Sequence, residues 1–155
     1  ALAQLAPRHP GARLVFVGDG PLRAALQAQA QALGIGALVR FAGAVPNDQL
    51  AAWYSAADLL VLASRSEGWA NVLLEAMAAG VPVVLTDVPS LRFVPEEAAS
   101  RVGPGDVAGL ADAVEALLTD PALWARRRAA GLDFATTLRP ARALDALEEI
   151  LRGSG

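Results

Sequence analysis

Short apolar runs alternate with helix-like segments along this chain, and this alternation constrains the fold more than any other sequence feature. Four mostly apolar runs have the length of a strand: Leu14–Val17, Leu38–Ala42, Leu59–Ala63 and Val83–Leu85. Strands that alternate with helices favour βαβ units and a parallel sheet with helices on both faces. We therefore predict an α/β fold, a three-layer α/β/α domain with a parallel sheet of four or five strands.

Beyond residue 87 the pattern becomes helical. Asp106 precedes a helical segment and can cap it, since a capping aspartate accepts hydrogen bonds from the free N–H groups of a first turn. Asp120-Pro121 begins another helix. A last helix is predicted over residues 140–151. The chain opens with Ala1–Arg8, which has the pattern of a helix end without a preceding strand. We therefore expect a piece of a longer protein, with the first strand of the domain lying upstream.

Composition excludes several classes of protein. The 155 residues are 54% hydrophobic and 19% charged, which is typical of a globular chain and not of a disordered one. The net charge of −3 argues against a nucleic-acid partner, which would require a basic face. All basic residues are Arg, and the one cluster, Arg126–Arg128, is interpreted as a solvated helix face. The longest uncharged apolar stretch, Ala76–Leu85, is far below the ~20 residues of a membrane span.

The absence of certain residue types excludes several chemistries. The chain has no Cys, which rules out disulfides, thiolate metal sites and cysteine nucleophiles within it. A single histidine, His9, leaves no histidine metal cluster and no catalytic triad. The absence of Lys excludes a phosphate-loop nucleotide site. We predict no metal and no bound cofactor.

Open parallel sheets bind their ligands at the carboxyl ends of the strands. We therefore expect the ligand to contact the loops that follow the four predicted strands. They are Gly18-Asp19-Gly20, Gly43-Ala44-Val45, Ser64–Asn71 and Thr86–Phe93. The first is weak evidence by itself, because a dinucleotide fingerprint would have a third Gly where Arg23 stands.

The loop Ser64–Asn71 leads into a predicted helix over residues 72–79 and carries the most information. Asn71 can cap that helix, and a helix N-terminus behind a glycine loop suits a phosphate. Glu67 lies in the loop and Glu75 in the helix, and carboxylates accept hydrogen bonds from sugar hydroxyls. A sugar attached to a phosphate fits both features. The alternatives are an exposed loop acid for Glu67, a solvent-facing position for Glu75 and a packing role for Trp69.

The run Ser66–Val84 resembles the Glu-x7-Glu signature of family 4 glycosyltransferases, which are retaining enzymes of the GT-B fold. Phe16–Pro21 is similar to the Gly-x-Gly-Pro turn of these enzymes, and Phe41–Val45 to their base-binding loop. Tyr54–Leu59 resembles their lead into the third strand. The resemblance covers roughly residues 1–131, and residues 132–155, predicted as C-terminal helices, match poorly. It implies a Rossmann-like domain, the C-terminal, donor-binding half of a GT-B enzyme.

The resemblance implies a role for each matching residue. Glu67 would meet the donor sugar near its reacting carbon, and Glu75 would hold the ribose hydroxyls. Asn71 and Val72 would meet the diphosphate, and Ala44-Val45 would frame the base. The other expected donor-binding residues are Gly18, Gly20, Gly68, Trp69, Arg65 and Arg92. The partner would be a nucleotide sugar, such as a UDP- or GDP-sugar, and transfer would retain configuration without a metal.

Two departures from the family pattern bear on these roles. The basic residues that grip the diphosphate in the family lie upstream of residue 1, together with the acceptor-binding domain. Arg65 and Arg92 are the candidates that remain, each with a solvated surface position as the alternative. The family's Gly-Gly-x-x-Glu reads Pro89–Phe93 here, so that Phe93 stands where Glu is usual. We therefore expect this chain alone to bind nucleotide sugars weakly and to lack transferase activity.

The expected function is retaining transfer of a glycosyl group to a glycan, lipid or small-molecule acceptor, by a longer hexosyltransferase that includes this chain. Such an enzyme would serve cell-envelope or polysaccharide biosynthesis. It would be cytoplasmic, with peripheral membrane association of the full-length protein left open. The alternatives are a non-catalytic nucleotide-sugar-binding or interaction module and a nucleotide-sugar epimerase on the same fold.

Overall fold

The computed structural model describes residues 1–65 and 71–138. The chain divides into two compact units, Ala1–Pro46 and Asn47–Gly155. The helix predicted over residues 140–151 lies outside the described residues. Both units consist of parallel strands and helices, which confirms the predicted α/β class.

The first unit contains one parallel strand pair. Its elements are helix α1 (Leu2–Leu5), strand β1 (Leu14–Val17), helix α2 (Arg23–Ala32), a 3₁₀ turn (Gly36–Leu38) and strand β2 (Val39–Gly43). β1 pairs with β2 so that Leu14 lies opposite Val39 and Phe16 opposite Phe41. The two phenyl rings stack with their centroids 5.0 Å apart. β1 is only partly covered, since Val15 and Phe16 remain more than a third exposed.

The second unit contains a three-stranded parallel sheet with the strand order β3-β4-β5. Its elements are α3 (Asn47–Ser55), β3 (Leu60–Leu62), α4 (Asn71–Ala78), β4 (Val83–Thr86), a 3₁₀ turn (Pro89–Leu91), β5 (Ala99–Val102), α5 (Val107–Thr119) and α6 (Pro121–Thr137). The central strand places Val83 between Leu60 and Ala99. Because the strands are parallel, their carboxyl ends lie at one edge of this sheet.

The central strand β4 is buried on both faces. Val83 and Leu85 pack into an apolar cluster that contains residues of α4 and is covered by residues of α6. Val84 points to the other face, where it packs with Leu117 of α5. Alternate side chains of a strand point to opposite faces, so a continuous apolar strand requires a helix layer on each side. The structure confirms the prediction that helices cover both faces at this strand.

Helix α4 ends at a glycine that has the left-handed backbone conformation. Gly80 has φ +73°, and the N–H of Val81 donates to the carbonyl of Ala76 at 2.9 Å. This is the Gly-terminated helix end that satisfies otherwise free carbonyls. A Cβ on Gly80 would also stand 3.0 Å from Nε of Arg128. The backbone conformation therefore disfavours a side chain at this position, and the exposed Arg128 side chain would have to shift.

Two sequence interpretations need correction. The region beyond residue 87 is not wholly helical, because Ala99–Val102 forms β5. This short strand carries the polar pair Ser100-Arg101 and has no apolar run to reveal it. The cluster Arg126–Arg128 is not simply a solvated face. Arg127 is half-buried and donates to the carbonyl of Glu96, and burial and the charge of Arg126 lower its pKa.

Helix α6 begins at Asp120-Pro121, as the sequence predicts, and a side chain caps its first turn. The Asp120 carboxylate accepts hydrogen bonds from the N–H groups of Ala122 and Leu123, both at 2.9 Å. We expect Asp120→Ala to lower the free energy of unfolding by about 0.5–2 kcal/mol, because two N–H groups lose their acceptor. Urea denaturation followed by circular dichroism measures this. Asp112→Ala on the exposed side of α5 is the matched control, and an equal loss in both variants would contradict the capping role.

Candidate functional site

At the carboxyl edge of the three-stranded sheet, a buried hydroxyl connects the ends of two strands by a hydrogen bond. Thr86, at the end of β4, is 5% exposed. Its Oγ1 donates to the carbonyl of Ser64 and lies 3.4 Å from the carbonyl of Leu62. This contact ties the end of β4 to the chain segment leaving β3. It therefore holds the point at which the loop Ser64–Asn71 begins.

Glu75 is the charged residue of helix α4, and its carboxylate is held by a phenol. The helix buries Leu73, Leu74, Ala76 and Met77, whereas Glu75 is half-buried. The Tyr54 hydroxyl, on α3, donates to Oε2 of Glu75 at 2.8 Å. Glu75 is therefore partly covered and in contact with another helix, and does not stand on a fully solvent-facing stripe. A half-buried carboxylate with one protein donor retains the capacity to accept further hydrogen bonds.

Tyr54 was not among the residues that the sequence indicated for the site. Its ring packs against the apolar cluster on the α4 side of the sheet. Burial, followed by the hydrogen bond to Glu75 and its negative charge, raises the pKa of Tyr54 well above the usual value of a phenol. The hydroxyl consequently keeps its proton and acts as a donor. A tyrosine at a helical core position gave no sequence signal for this contact, because its partner lies on another helix.

The helix N-terminus proposed for phosphate binding is only partly described. Asn71 and Val72 form the first described turn of α4, and both are exposed. Glu67, Gly68 and Trp69 fall within residues 66–70, outside the described part of the chain. Their predicted roles remain predictions. Arg65, which precedes this gap, is exposed at the carboxyl end of β3.

An aspartate and an arginine of the loop after β4 form a charged cluster with an arginine of β5. Oδ1 of Asp87 lies 3.7 Å from Nε of Arg92 and 3.6 Å from Nη1 of Arg101. The Arg92 side chain is 67% exposed, and that of Arg101 is 18% exposed. One carboxylate thus serves two guanidinium groups, which leaves one net positive charge in the cluster. Arg92 keeps the exposure that a phosphate contact requires.

Arg101 on β5 is a second residue that the sequence did not indicate. Its Nη2 donates to the carbonyl of Leu91 at 3.1 Å and also to that of Val94. These bonds fix the backbone of the loop that carries Arg92. Phe93, in the same loop, faces Phe134 of α6 with 6.2 Å between ring centroids. The residue that departs from the family pattern thus makes an aromatic contact with α6.

In the first unit, a backbone hydrogen bond connects the ends of β1 and β2, where their loops begin. The N–H of Gly18 donates to the carbonyl of Gly43 at 2.8 Å, and the two glycines have φ of +123° and +78°. Gly18 therefore lies beside the start of the loop Ala44-Val45, as expected for two loops at one edge. Such positive φ values favour glycine.

Arg23 is an additional cation of these loops. Its guanidinium lies 3.4 Å from a carboxylate oxygen of Asp19 and 5.9 Å from the centre of the Phe41 ring. Asp19 also accepts from the N–H of Gly20 at 2.8 Å, which shapes the Gly18-Asp19-Gly20 turn. From sequence, Arg23 is only the residue that stands where a dinucleotide fingerprint would have its third Gly.

The residues that the structure describes also bear on other types of site. No group of three or more His, Cys, Asp or Glu side chains among them could hold a metal ion. Among the same residues, no helix is long and apolar enough to cross a membrane.

Comparison with known proteins identifies the family. Residues 1–120 match the family model described as "Glycosyl transferases group 1". A glycogen synthase from Mycobacterium tuberculosis is 37% identical over 129 residues, which are 82% of this chain and 31% of that protein. A D-inositol 3-phosphate glycosyltransferase from Frankia alni is 39% identical over 142 residues, 84% of this chain and 35% of that protein.

The fold of the chain is also found among solved structures. A sucrose-phosphate synthase from Thermosynechococcus elongatus matches with a TM-score of 0.80 and 31% identity, over 99% of this chain and 42% of that one. The chain spans about a third of the length of the curated relatives that it matches. These matches confirm the predicted fold and the resemblance to glycosyltransferases of the GT-B fold. The chain belongs to the glycosyl transferases group 1 family and has the fold of GT-B glycosyltransferases.

Proposed function

We propose that this chain binds the nucleotide-sugar donor of a family 4 glycosyltransferase that transfers a glycosyl group with retention of configuration. The observation that carries the proposal is the Glu75 carboxylate, half-buried in a chain of the glycosyltransferase family and held by the Tyr54 hydroxyl. The whole enzyme would include an acceptor-binding domain in addition to this chain.

Glu75 would accept hydrogen bonds from the ribose hydroxyls of the donor. An ionised carboxylate has two oxygens and about four acceptor sites. It can therefore accept hydrogen bonds from two vicinal hydroxyls while it also accepts one from the Tyr54 hydroxyl. Such hydrogen bonds to a charged acceptor are stronger than neutral ones. Glu67 would bind the sugar near the reacting carbon and would therefore affect the chemistry.

The diphosphate would be bound by backbone N–H groups and by cations. Asn71 and Val72 lie in the first turn of α4, where a helix favours an anion. Arg65 and Arg92 are exposed at the carboxyl ends of neighbouring strands, and Gly68 and Trp69 would complete the loop between Arg65 and the helix. The developing charge of the leaving diphosphate would be stabilised by the same groups, without a metal ion.

The loops of the first unit would also contact the donor. Gly18 and Gly20 allow a ligand to approach the backbone closely, and the loop Ala44-Val45 would frame the base. Because these loops follow parallel strands, they occupy the position at which α/β sheets bind ligands.

A non-catalytic nucleotide-sugar-binding module is the second candidate. Phe93 favours it, because a ring that contacts Phe134 replaces the glutamate usual at this position of the family. An epimerase would require acid–base groups in the cleft, and the chain has a single histidine, His9.

Ligand-observed NMR with UDP-, GDP- and ADP-sugars tests the proposal directly. We expect this chain to bind at least one of them weakly, because an exposed helix N-terminus contributes only about 0.3–1 kcal/mol to anion binding. Saturation transfer should be strongest at the ribose protons next to the hydroxyls that Glu75 would hold. Free sugars of the same kind are the control. If none of the nucleotide sugars shows transfer above that control, the proposed function is wrong.

A further inference from the structure

Tyr54 is placed to control the orientation of the Glu75 carboxylate. It is the penultimate residue of α3, and its hydroxyl lies 2.8 Å from Oε2 of Glu75 on α4. The Tyr54 ring packs against the apolar cluster formed by α4, β4 and the loop after β4. A ring that is fixed by packing presents its hydroxyl at a fixed point. The glutamate side chain, which has three rotatable bonds, is thereby tied to one arrangement.

The chemistry of the pair leaves part of the carboxylate available. Because its pKa is raised, the phenol remains protonated and donates its single proton to Oε2. The other oxygen of Glu75 accepts no hydrogen bond that the structure records from residues 1–65 or 71–138. A carboxylate has more acceptor sites than one phenol can use. Glu75 therefore has a protein donor on one oxygen and capacity for a ligand donor on the other.

We propose that Tyr54 is a positioning residue that orients Glu75 toward the ribose hydroxyls of the bound nucleoside diphosphate. This inference rests on the proposed function of Glu75. Tyr54 itself need not touch the ligand, since it acts through the carboxylate. The alternative is a purely structural link between α3 and α4, which would affect the stability of the fold and not the recognition of ribose.

The test compares nucleoside diphosphates with and without ribose hydroxyls. The probes are UDP, GDP and ADP, each with its 2′,3′-dideoxy counterpart, and the measured quantity is the ratio of the two dissociation constants. We expect the unmodified protein to prefer the ribose form roughly tenfold, the scale of a hydrogen bond to a charged group. Tyr54→Phe should reduce this preference by roughly threefold or more and change dideoxy binding by less than about twofold.

Two further variants make the result specific. Tyr54→Phe introduced into Glu75→Gln should have little additional effect on the ratio, because the residue through which Tyr54 acts is already altered. Thr119→Val is the matched control, since it removes a hydroxyl that donates to the carbonyl of Glu115 within α5. This control should leave the ratio unchanged.

A measurement on the unsubstituted protein does not depend on how the variants fold. Tyr54 is the one tyrosine of the chain, so incorporation of fluorotyrosine gives a single fluorine NMR signal that reports on it. The ribose form of the nucleotide should shift this signal, and the dideoxy form should shift it much less.

The outcomes separate this inference from the proposed function. If the unmodified protein does not distinguish ribose from dideoxyribose, the ribose role of Glu75 is wrong, and the inference falls with it. If the unmodified protein distinguishes them and Tyr54→Phe does so equally well, the positioning role alone is overturned. A proportional loss of both affinities in Tyr54→Phe would also overturn it, in favour of the structural link.

Discussion

Glu75→Gln is expected to weaken nucleoside diphosphate binding by about 1–3 kcal/mol, because a charged acceptor of ribose hydroxyls is replaced by a neutral amide. Glu67→Gln should leave that affinity nearly intact and lower the turnover of the full-length enzyme. The two acids differ because Glu75 is assigned to the nucleotide and Glu67 to the transferred sugar. A nucleoside diphosphate without the transferred sugar would reach only the first of these subsites.

Calorimetry with the nucleoside diphosphate measures the first role, and turnover with the complete nucleotide sugar measures the second. Asp112→Asn is the matched control, since it removes a carboxylate from the exposed side of α5. This control should change neither quantity. An equal loss of diphosphate affinity in Glu67→Gln and Glu75→Gln would refute the division of roles, even if both variants were inactive.

Leu85→Ala is expected to lower the free energy of unfolding of the second unit by about 2–5 kcal/mol, the range for truncating a fully buried leucine. Leu85 is 0% exposed on the central strand and belongs to the cluster that also contains Leu73 and Met77. The truncation would leave a cavity beneath α4, the helix that carries Glu75. The effect is large because helices cover this strand on both faces.

Urea denaturation followed by circular dichroism measures the loss, and a leucine in the same unit provides the comparison. Leu118 on α5 is 39% exposed, and we expect Leu118→Ala to cost about 1 kcal/mol or less. If Leu85→Ala were no more destabilising than Leu118→Ala, β4 would not be the centre of the core.

Features that depend on near neighbours in the chain were predictable from sequence. Asp106 caps α5 by accepting from the N–H of Gly109 at 2.8 Å, and Asp120 caps α6 in the same way. Gly80 ends α4 as expected. Each of these interactions joins residues within about one helical turn, so the local pattern of residue types contains the whole signal.

Strand β5 shows where the local signal fails. Ala99–Val102 is a strand because it pairs with Val83–Thr86, and its own residues would suit a loop or a helix equally well. An edge strand is covered less than a central one, and its sequence is correspondingly less apolar. The polar side chain of Arg101 makes this strand hard to recognise from sequence. The same side chain donates a hydrogen bond to the backbone of the loop after β4.

The sequence by itself determined the α/β class, the family motif and the loops in which ligand contacts are expected, because these depend on periodicity and on the order of residues. Only the tertiary structure decided what surrounds the site residues. Tyr54 meets Glu75 from 21 positions away, and Asp87 meets Arg101 across two strand ends. Such pairs form when packed helices and strands bring distant backbone segments together. No local pattern specifies which side chains then come within hydrogen-bonding distance.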